Sequence, residues 1–179
     1  MSPEITGLQN SKVLMPGEGN PLAATIGRVS ATAMFKAESG ETDGHFAVWE
    51  TNVPPHFPLP NPPLTQLHWH KITHEAFYLL EGALTFQLGD QIVKAPAGSF
   101  VHIPPGVLHV FSNCEAAPAR GLVLISPPML SPREYVAAMA ELAKAGPPNP
   151  EELAALSAKH DTYTPSARTP GELGRLPRF

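Results

Sequence analysis

The feature that most constrains this chain is the stretch from His68 to Asn113, which begins and ends with polar residues at regular spacing. His68 and His70 are two residues apart, so on a β-strand their side chains share one face. Glu75 begins the apolar, aromatic run EAFYLLEG, which predicts a second strand. His109 follows the turn PPG and begins the alternating run HVFSN, which predicts a third. We therefore expect three imidazoles and one carboxylate to meet at one place.

Such a set of side chains suits a metal ion, because neutral imidazole nitrogens and carboxylate oxygens are ligands of divalent transition metals. We expect one ion per subunit, held by four residues: His68, His70, Glu75 and His109. Iron, manganese, nickel, copper, cobalt and zinc all accept these ligands, so the identity of the metal stays open. Two further histidines, His74 and His102, lack this support, and we interpret them as structural or exposed.

Both ends of the stretch resemble sequence motifs of the cupin family. The first motif, G-x5-H-x-H-x(3,4)-E-x6-G, is matched from His68 to Gly82, except that Pro62 replaces its leading glycine. Because proline has no backbone N–H, this replacement predicts a loop or a sheet edge before the first strand. The second motif, G-x5-P-x-G-x2-H-x3-N, is matched in full from Gly98 to Asn113.

Composition and periodicity predict an all-β fold. The chain of 179 residues suffices for one domain, and its 22 prolines and 14 glycines favour many turns between short strands. Near the C-terminus, SPREYVAAMAELAKAG and NPEELAALSAKHD carry N-cap and proline signals that predict two helices. The resemblance implies that the strands form a cupin jelly-roll β-barrel. We divide the chain into an N-terminal arm (1–20), the barrel (21–127), a helical extension (128–161) and a tail (162–179).

Charge and hydropathy argue against several classes of partner. The net charge is −4 and no basic cluster is present, so we expect neither nucleic acid nor an anionic membrane surface as a partner. Cys114 is the single cysteine, which precludes an internal disulfide and fits a reducing compartment. No apolar leader or membrane-length run is found. These features predict a soluble, cytoplasmic protein.

The expected site suits catalysis on a neutral small molecule. An octahedral metal with four protein ligands keeps about two positions open for substrate and for dioxygen or water. Glu75 is therefore a candidate catalytic base as well as a ligand, because its carboxylate would lie within reach of a bound hydroxyl. Three apolar side chains are predicted to bind the substrate: Phe77, Leu79 and Phe111.

Two other segments bear on the substrate. Between Thr65 and Asn113 the cationic residues are Lys71 and Lys94, which are not placed to clamp a phosphate, so we expect an uncharged, apolar or aromatic substrate. The proline-rich segment from His56 to Leu64 is either a rim of the pocket or a plain connector.

The HxHx4E spacing, the run AFYLLEGALTF and the helical extension resemble the single-domain quercetin 2,3-dioxygenase-like cupins. This resemblance implies an oxidoreductase: a metal-dependent dioxygenase acting on a flavonol-like or other enolisable aromatic molecule, with a role in secondary metabolism. It also implies a homodimer. Two alternatives stay open: a non-oxidative enzyme with the same metal site (an isomerase, cyclase, dehydratase or decarboxylase), and a non-catalytic small-molecule-binding cupin.

Overall fold

The alternating segments of the sequence form strands and the segment after Pro128 forms helices. A computed structural model of the chain describes residues 11–26, 29–57, 67–128, 132–144 and 149–164. Within these ranges there are nine strands: β1 (Asn20–Ile26), β2 (Val29–Ala37), β3 (Ala47–Val53), β4 (His74–Glu81), β5 (Ala83–Leu88), β6 (Gln91–Pro96), β7 (Phe100–Ile103), β8 (His109–Ser112) and β9 (Ala119–Ser126). The same ranges contain two α-helices, α1 (Pro132–Lys144) and α2 (Pro150–His160).

The strands form two antiparallel sheets. The larger has six strands in the order β1-β2-β3-β9-β4-β7, and the smaller has three in the order β6-β5-β8. Strand β9, late in the chain, lies between β3 and β4, which is a crossover typical of jelly rolls. The sequence therefore supplies the centre of the larger sheet from two distant segments.

A single hydrophobic core fills the space between the sheets. Strand β4 contributes one face to this core. Glu75, Phe77 and Leu79 are buried, while His74 and Tyr78 are exposed, as expected for side chains that alternate between the two faces of a strand. Buried side chains from both sheets contribute to one cluster: Val53, Phe57, Phe77, Leu79, Leu84, Phe86, Ala95, Ile103, Ala119 and Val123. The core thus fixes which face of β4 presents its carboxylate to the interior.

The predicted jelly-roll barrel is present as two packed sheets and is not closed in the structure. Among the described residues, no ladder of named strands joins the two sheets, and a single bridge links Phe57 to Asn113 at one corner. Asn113 is fully buried and its side-chain amide donates to the carbonyls of Val53 and Ala117, at 3.1 and 2.8 Å. Core packing and side-chain hydrogen bonds therefore hold the sheets together where a barrel would use backbone ladders.

The two predicted helices are present. Asn149 caps α2 as expected, since its side-chain oxygen accepts the N–H of Glu152 at 2.8 Å. Ser131, the predicted cap of α1, lies outside the described residues. Arg133 anchors α1 to the first hairpin, because its guanidinium lies 4.8 Å above the Phe35 ring.

Some helices and strands begin or end close to the boundaries predicted between arm, barrel, helical extension and tail. Strand β1 begins at Asn20, and residues 11–19 contain neither helix nor strand. Helix α2 ends at His160, and Tyr163, in the predicted tail, forms a bridge with Trp69. The division into arm, barrel, extension and tail stays a prediction. No helix in the described ranges is long and apolar enough to cross a membrane.

Candidate metal centre

The four predicted ligands come together. One ligand atom from each of His68, His70, Glu75 and His109 lies within 4.8 Å of the others. His109, Glu75 and His70 are 2%, 8% and 9% exposed, whereas His68 is partly exposed. The cluster is therefore nearly enclosed by protein, with its most open side at His68.

The segment carrying the first two histidines differs from the strand expected there. His68 and Trp69 are each in an isolated bridge: His68 exchanges backbone hydrogen bonds with His109 at 2.9 and 2.7 Å, and Trp69 exchanges them with Tyr163, both at 2.9 Å. In this segment, strand-like pairing is confined to these two residues. This is still enough to direct the rings of His68 and His70 toward the same place, with centroids 5.1 Å apart.

Glu75 is the centre of the cluster. Its Oε2 lies 2.9 Å from Nε2 of His109 and 3.5 Å from Nε2 of His70. Burial on its own raises the pKa of the Glu75 carboxyl, but hydrogen bonds and charge from His109 and His70 outweigh it and hold that pKa well below its usual range. Burial lowers the pKa of His70, and its contacts with Glu75 and Asp161 outweigh that effect, so the net shift is upward.

The outer nitrogens of two histidines are held by backbone carbonyls. Nδ1 of His70 lies 2.6 Å from the carbonyl oxygen of Asp161, and Nδ1 of His109 lies 2.9 Å from that of Val107. A carbonyl only accepts, so both Nδ1 atoms must be the protonated ones. In each ring Nε2 is therefore the nitrogen that faces Glu75, and it is the nitrogen that a metal would bind in place of a proton. The residues present fit a divalent transition metal.

Sequence reasoning did not anticipate the residues that support the ligands. Gly106, in the PPG turn, donates its backbone N–H to the carbonyl of His70 at 2.7 Å. Asp161 accepts three backbone N–H groups from the loop between His70 and Glu75. Asp161 follows the last residue of α2, a position that on sequence grounds indicated only the end of a helix.

The other two histidines near the motifs lie outside the cluster. His74 and His102 are exposed, as interpreted from the sequence. Their rings stack in parallel, with centroids 5.3 Å apart, and Nδ1 of His74 lies 3.0 Å from Nε2 of His102. His74 faces outward because it precedes Glu75 on β4, and successive side chains of a strand point to opposite faces.

The three predicted substrate-binding residues lie beneath the ligands. Phe77 is 1% exposed and its ring contacts those of Phe86 and Phe111, with centroids 5.0 and 5.3 Å away. Leu79 is fully buried, one row deeper than Phe77 on the same face of β4. Phe111, two residues beyond His109, is only partly buried. Their part in binding a substrate stays a prediction, and so does the proline-rich rim, of which residues 58–66 lie outside the described ranges.

Comparison with known proteins agrees with this geometry. Residues 59–125 match the family model described as Cupin domain. No curated protein matches the sequence.

Solved structures are similar in fold. A predicted oxalate decarboxylase from Thermotoga maritima is 18% identical, with a TM-score of 0.55 over 65% of this chain and 99% of that one. The structure of FeII HppE is 17% identical, with a TM-score of 0.51 over 65% of this chain and 60% of that one. A sugar phosphate isomerase of the cupin superfamily from Silicibacter pomeroyi is 21% identical, with a TM-score of 0.45 over 54% and 59%. At these identities the likeness concerns the fold.

Proposed function

We propose that this chain is a metal-dependent cupin enzyme, a dioxygenase of the quercetinase-like type that acts on a flavonol-like or other enolisable aromatic molecule. The observation that carries the proposal is the convergence of three imidazoles on one buried carboxylate, with Nε2 of His70 and His109 directed at Glu75. Three histidines and a carboxylate would hold one divalent transition metal. When bound, the metal supplies Lewis acidity and open positions for substrate and dioxygen.

Glu75 has two roles in this proposal. Its oxygen is one of the four ligands, and the same carboxylate is the base that takes a proton from the substrate hydroxyl. The pKa of Glu75 lies below its usual range, so the carboxylate is ionised at neutral pH but is a weak base, and the second role rests on its position beside the other ligands. The rings of Phe77 and Phe111 would form the apolar floor on which an aromatic substrate lies.

A neutral substrate is supported by the placement of cations. From Leu67 to Asn113, a fully described range, the cationic residues are Lys71 and Lys94, and both are exposed. Lys94 lies 2.6 Å from the carboxylate of Glu115, on the outside of the smaller sheet. Lys94 is therefore engaged away from the ligand cluster, and Lys71 is the one remaining lysine of this range. The resemblance to single-domain cupins also supports a homodimer, which sedimentation equilibrium would test.

A second candidate is a non-oxidative enzyme that uses the same ligands. The observation that favours it is again the ionised Glu75 beside His109, since proton transfer by a buried carboxylate suffices for isomerisation, cyclisation, dehydration or decarboxylation. A non-catalytic cupin that only binds a small molecule is the remaining alternative. Oxygen consumption separates the first candidate from the second, and turnover separates both from the third.

The deciding experiment begins with metal. Protein purified without added metal is analysed by elemental analysis, with one transition metal ion expected per subunit. The His109→Ala variant should lose this ion, because it removes a ligand 2.9 Å from Glu75. The His74→Ala variant is the matched control and should retain it, since that ring is exposed and outside the cluster. Full occupancy in His109→Ala would exclude the assigned site.

The loaded protein is then mixed with quercetin and with a panel of phenols and diketones in an oxygen electrode. Oxygen uptake tied to loss of the substrate absorbance supports the dioxygenase. Conversion without oxygen uptake would instead favour the non-oxidative enzyme. A fully loaded protein that binds members of the panel and converts none of them would favour the binding module.

A further inference from the structure

The segment that follows α2, Asp161–Tyr163, lies against the chain that carries His68 and His70. We call it the C-terminal strap. Tyr163 pairs with Trp69 through two backbone hydrogen bonds of 2.9 Å, and their rings stack with centroids 4.8 Å apart. The strap therefore pairs with this segment on the side opposite to His109, because the backbone groups of His68 and Trp69 point to opposite sides. It lies beyond residues 59–125, which match the cupin domain.

Asp161 makes the closest connection between the strap and the ligands. One carboxylate oxygen accepts the N–H of Lys71 at 2.9 Å, and the other accepts those of Ile72 and Thr73 at 3.0 and 2.8 Å. Both oxygens act only as acceptors, which is the hydrogen-bonding pattern of an ionised carboxylate. At 2% exposure, this residue is almost completely removed from water.

The main chain of Asp161 contacts a ligand directly. Its carbonyl oxygen accepts from Nδ1 of His70 at 2.6 Å. Its backbone is in the left-handed conformation, φ 50° and ψ 33°, and its own N–H donates to the carbonyl of Ser157 as the C-cap of α2. One residue thus ends a helix, sets the tautomer of His70 and holds the loop that follows it.

The loop of residues 71–73 sets the position of His70 relative to Glu75. Lys71, Ile72 and Thr73 connect His70 to the strand that carries Glu75, and their N–H groups have no place in a sheet ladder. Three N–H groups bonded to one buried carboxylate give the loop a defined shape, since these N–H groups would otherwise lose their hydrogen-bond acceptor. The distance between His70 and Glu75 therefore depends on a residue about 90 positions away in sequence.

We propose that Asp161 is a positioning residue of the metal centre, acting through His70 and the 71–73 loop, and that the C-terminal strap completes a site whose ligands all belong to the cupin domain. The inference rests on the proposed metal site. Hydrogen-bonded partners of ligating histidines commonly contribute 10- to 100-fold to metal affinity. We expect an effect of about that size here.

The test compares two variants that preserve the left-handed backbone. Asp161→Gly removes the carboxylate, and Asp161→Asn replaces one acceptor oxygen with an NH2 group that opposes the loop N–H donors. Both keep the backbone carbonyl that accepts from His70. Asn149→Ala is the matched control, because it removes the cap at the other end of α2, 2.8 Å from the N–H of Glu152, without touching the loop.

Two properties are measured on the full chain. Cobalt(II) affinity is determined by calorimetry, together with the visible spectrum of the bound ion, which reports on the arrangement of its ligands. Amide hydrogen exchange is followed at Lys71, Ile72 and Thr73 in metal-free protein. Both Asp161 variants should bind cobalt about 10- to 100-fold more weakly, with an altered spectrum and faster exchange at these amides. Asn149→Ala should lower the unfolding temperature and leave affinity and spectrum unchanged.

The outcomes separate the two proposals. Wild-type protein that binds no cobalt would overturn the metal site and the positioning role with it. Wild-type binding with unchanged affinity and spectrum in both Asp161 variants would overturn the positioning role alone. An equal loss of affinity in Asn149→Ala would also overturn it, because the effect would then follow from the stability of α2.

Discussion

At the scale of single residues, the site depends on how the Glu75 carboxylate is shared. It lies on the inner face of β4 with 8% exposure, and two Nε2 atoms approach the same oxygen. A buried carboxylate of this kind is stable only when its charge is compensated, which the imidazoles do in this chain and a cation would do more strongly. The residue is therefore suited both to bind a metal and to accept a proton.

Replacing Glu75 by glutamine separates these two roles. The amide keeps the shape and one oxygen donor, so we expect most of the metal to stay, whereas the amide cannot accept a substrate proton. Turnover should fall about a hundredfold or more, the usual contribution of a positioned base. Metal content and the rate with whichever substrate the panel yields are measured on the same sample. Retained metal with near-normal turnover would leave Glu75 as a ligand only.

At the scale of elements, the turn between β4 and β5 sets the position of the strand that carries Glu75. Gly82 has a φ of 68°, and a Cβ built on it would lie 2.6 Å from the carbonyl oxygen of Pro118. The atoms nearest to such a Cβ belong to the backbone of Pro118 and Ala119, so the clash could not be relieved by moving a flexible side chain. The last glycine of the first motif is thus needed for its backbone conformation and for close packing against the segment before β9.

The Gly82→Ala variant should consequently be destabilised by two effects. The left-handed conformation alone costs alanine about 1–2 kcal/mol, and the contact with Pro118 adds to it. Gly89→Ala is the matched control, because Gly89 has a φ of 59° and a Cβ there would meet no atom within 4 Å. Urea unfolding should show that Gly82→Ala loses at least about 1 kcal/mol more than Gly89→Ala. Equal losses would mean that the chain relaxes around Pro118.

Helix α2 contains a buried histidine that should make its docking depend on pH. His160 is 7% exposed, its ring centroid lies 5.4 Å from that of Tyr135, and neither ring nitrogen has a hydrogen-bond partner among the described residues. Burial lowers the pKa of His160 below 6.5, with Lys159 adding to the shift and Glu134 opposing it. The folded state thus binds a proton at His160 less readily than the unfolded state does.

The direction in which stability changes with pH follows from the lowered pKa of His160 in the folded state. The contribution of His160 to stability is fully present above pH 6.5 and is lost as the pH falls through the folded-state pKa. Between pH 7.5 and 5, metal-free wild-type protein should therefore lose stability relative to the His160→Gln variant, measured by thermal unfolding. His45→Gln, at an exposed position, serves as the control. A constant difference between wild type and His160→Gln across this range would contradict the prediction.

At the scale of the whole molecule, the two sheets pack around a core that is mostly apolar. Apart from the histidines, Glu75 has buried apolar neighbours: Ile103 pairs with it on β7, and Phe77 follows it on the same face of β4. Arg120, a cation of β9, is bound by Glu50 at 2.9 Å and by Glu81. An anion entering this interior would thus lose water without gaining a cationic partner from these strands.

The protein should for this reason bind a flavonol more tightly than a sugar phosphate of similar size. Calorimetry with quercetin and with glucose 6-phosphate, each at constant ionic strength, measures the preference. A phosphate that bound tenfold more tightly, a difference of about 1.4 kcal/mol, would contradict it.

Much of the fold, and the clustering of the four candidate ligands, could be predicted from the sequence. The alternation of EAFYLLEG predicted which face of β4 is buried, and the signals in NPEELAALSAKHD predicted α2 with Asn149 as its cap. The jelly-roll arrangement was predicted as well, but among the described residues the barrel is not closed. Alternation shows which face a strand buries but contains no information on whether its edge finds a partner.

The spacing of His68, His70, Glu75 and His109 was sufficient to predict the cluster, because strand periodicity converts sequence distance into a shared face. What holds the cluster had to come from the folded chain. Asp161 bonds to Thr73 from 88 residues away. Such a contact forms only once α2 has docked. No local sequence pattern relates the end of a helix to a distant loop whose N–H groups find no acceptor within the loop itself.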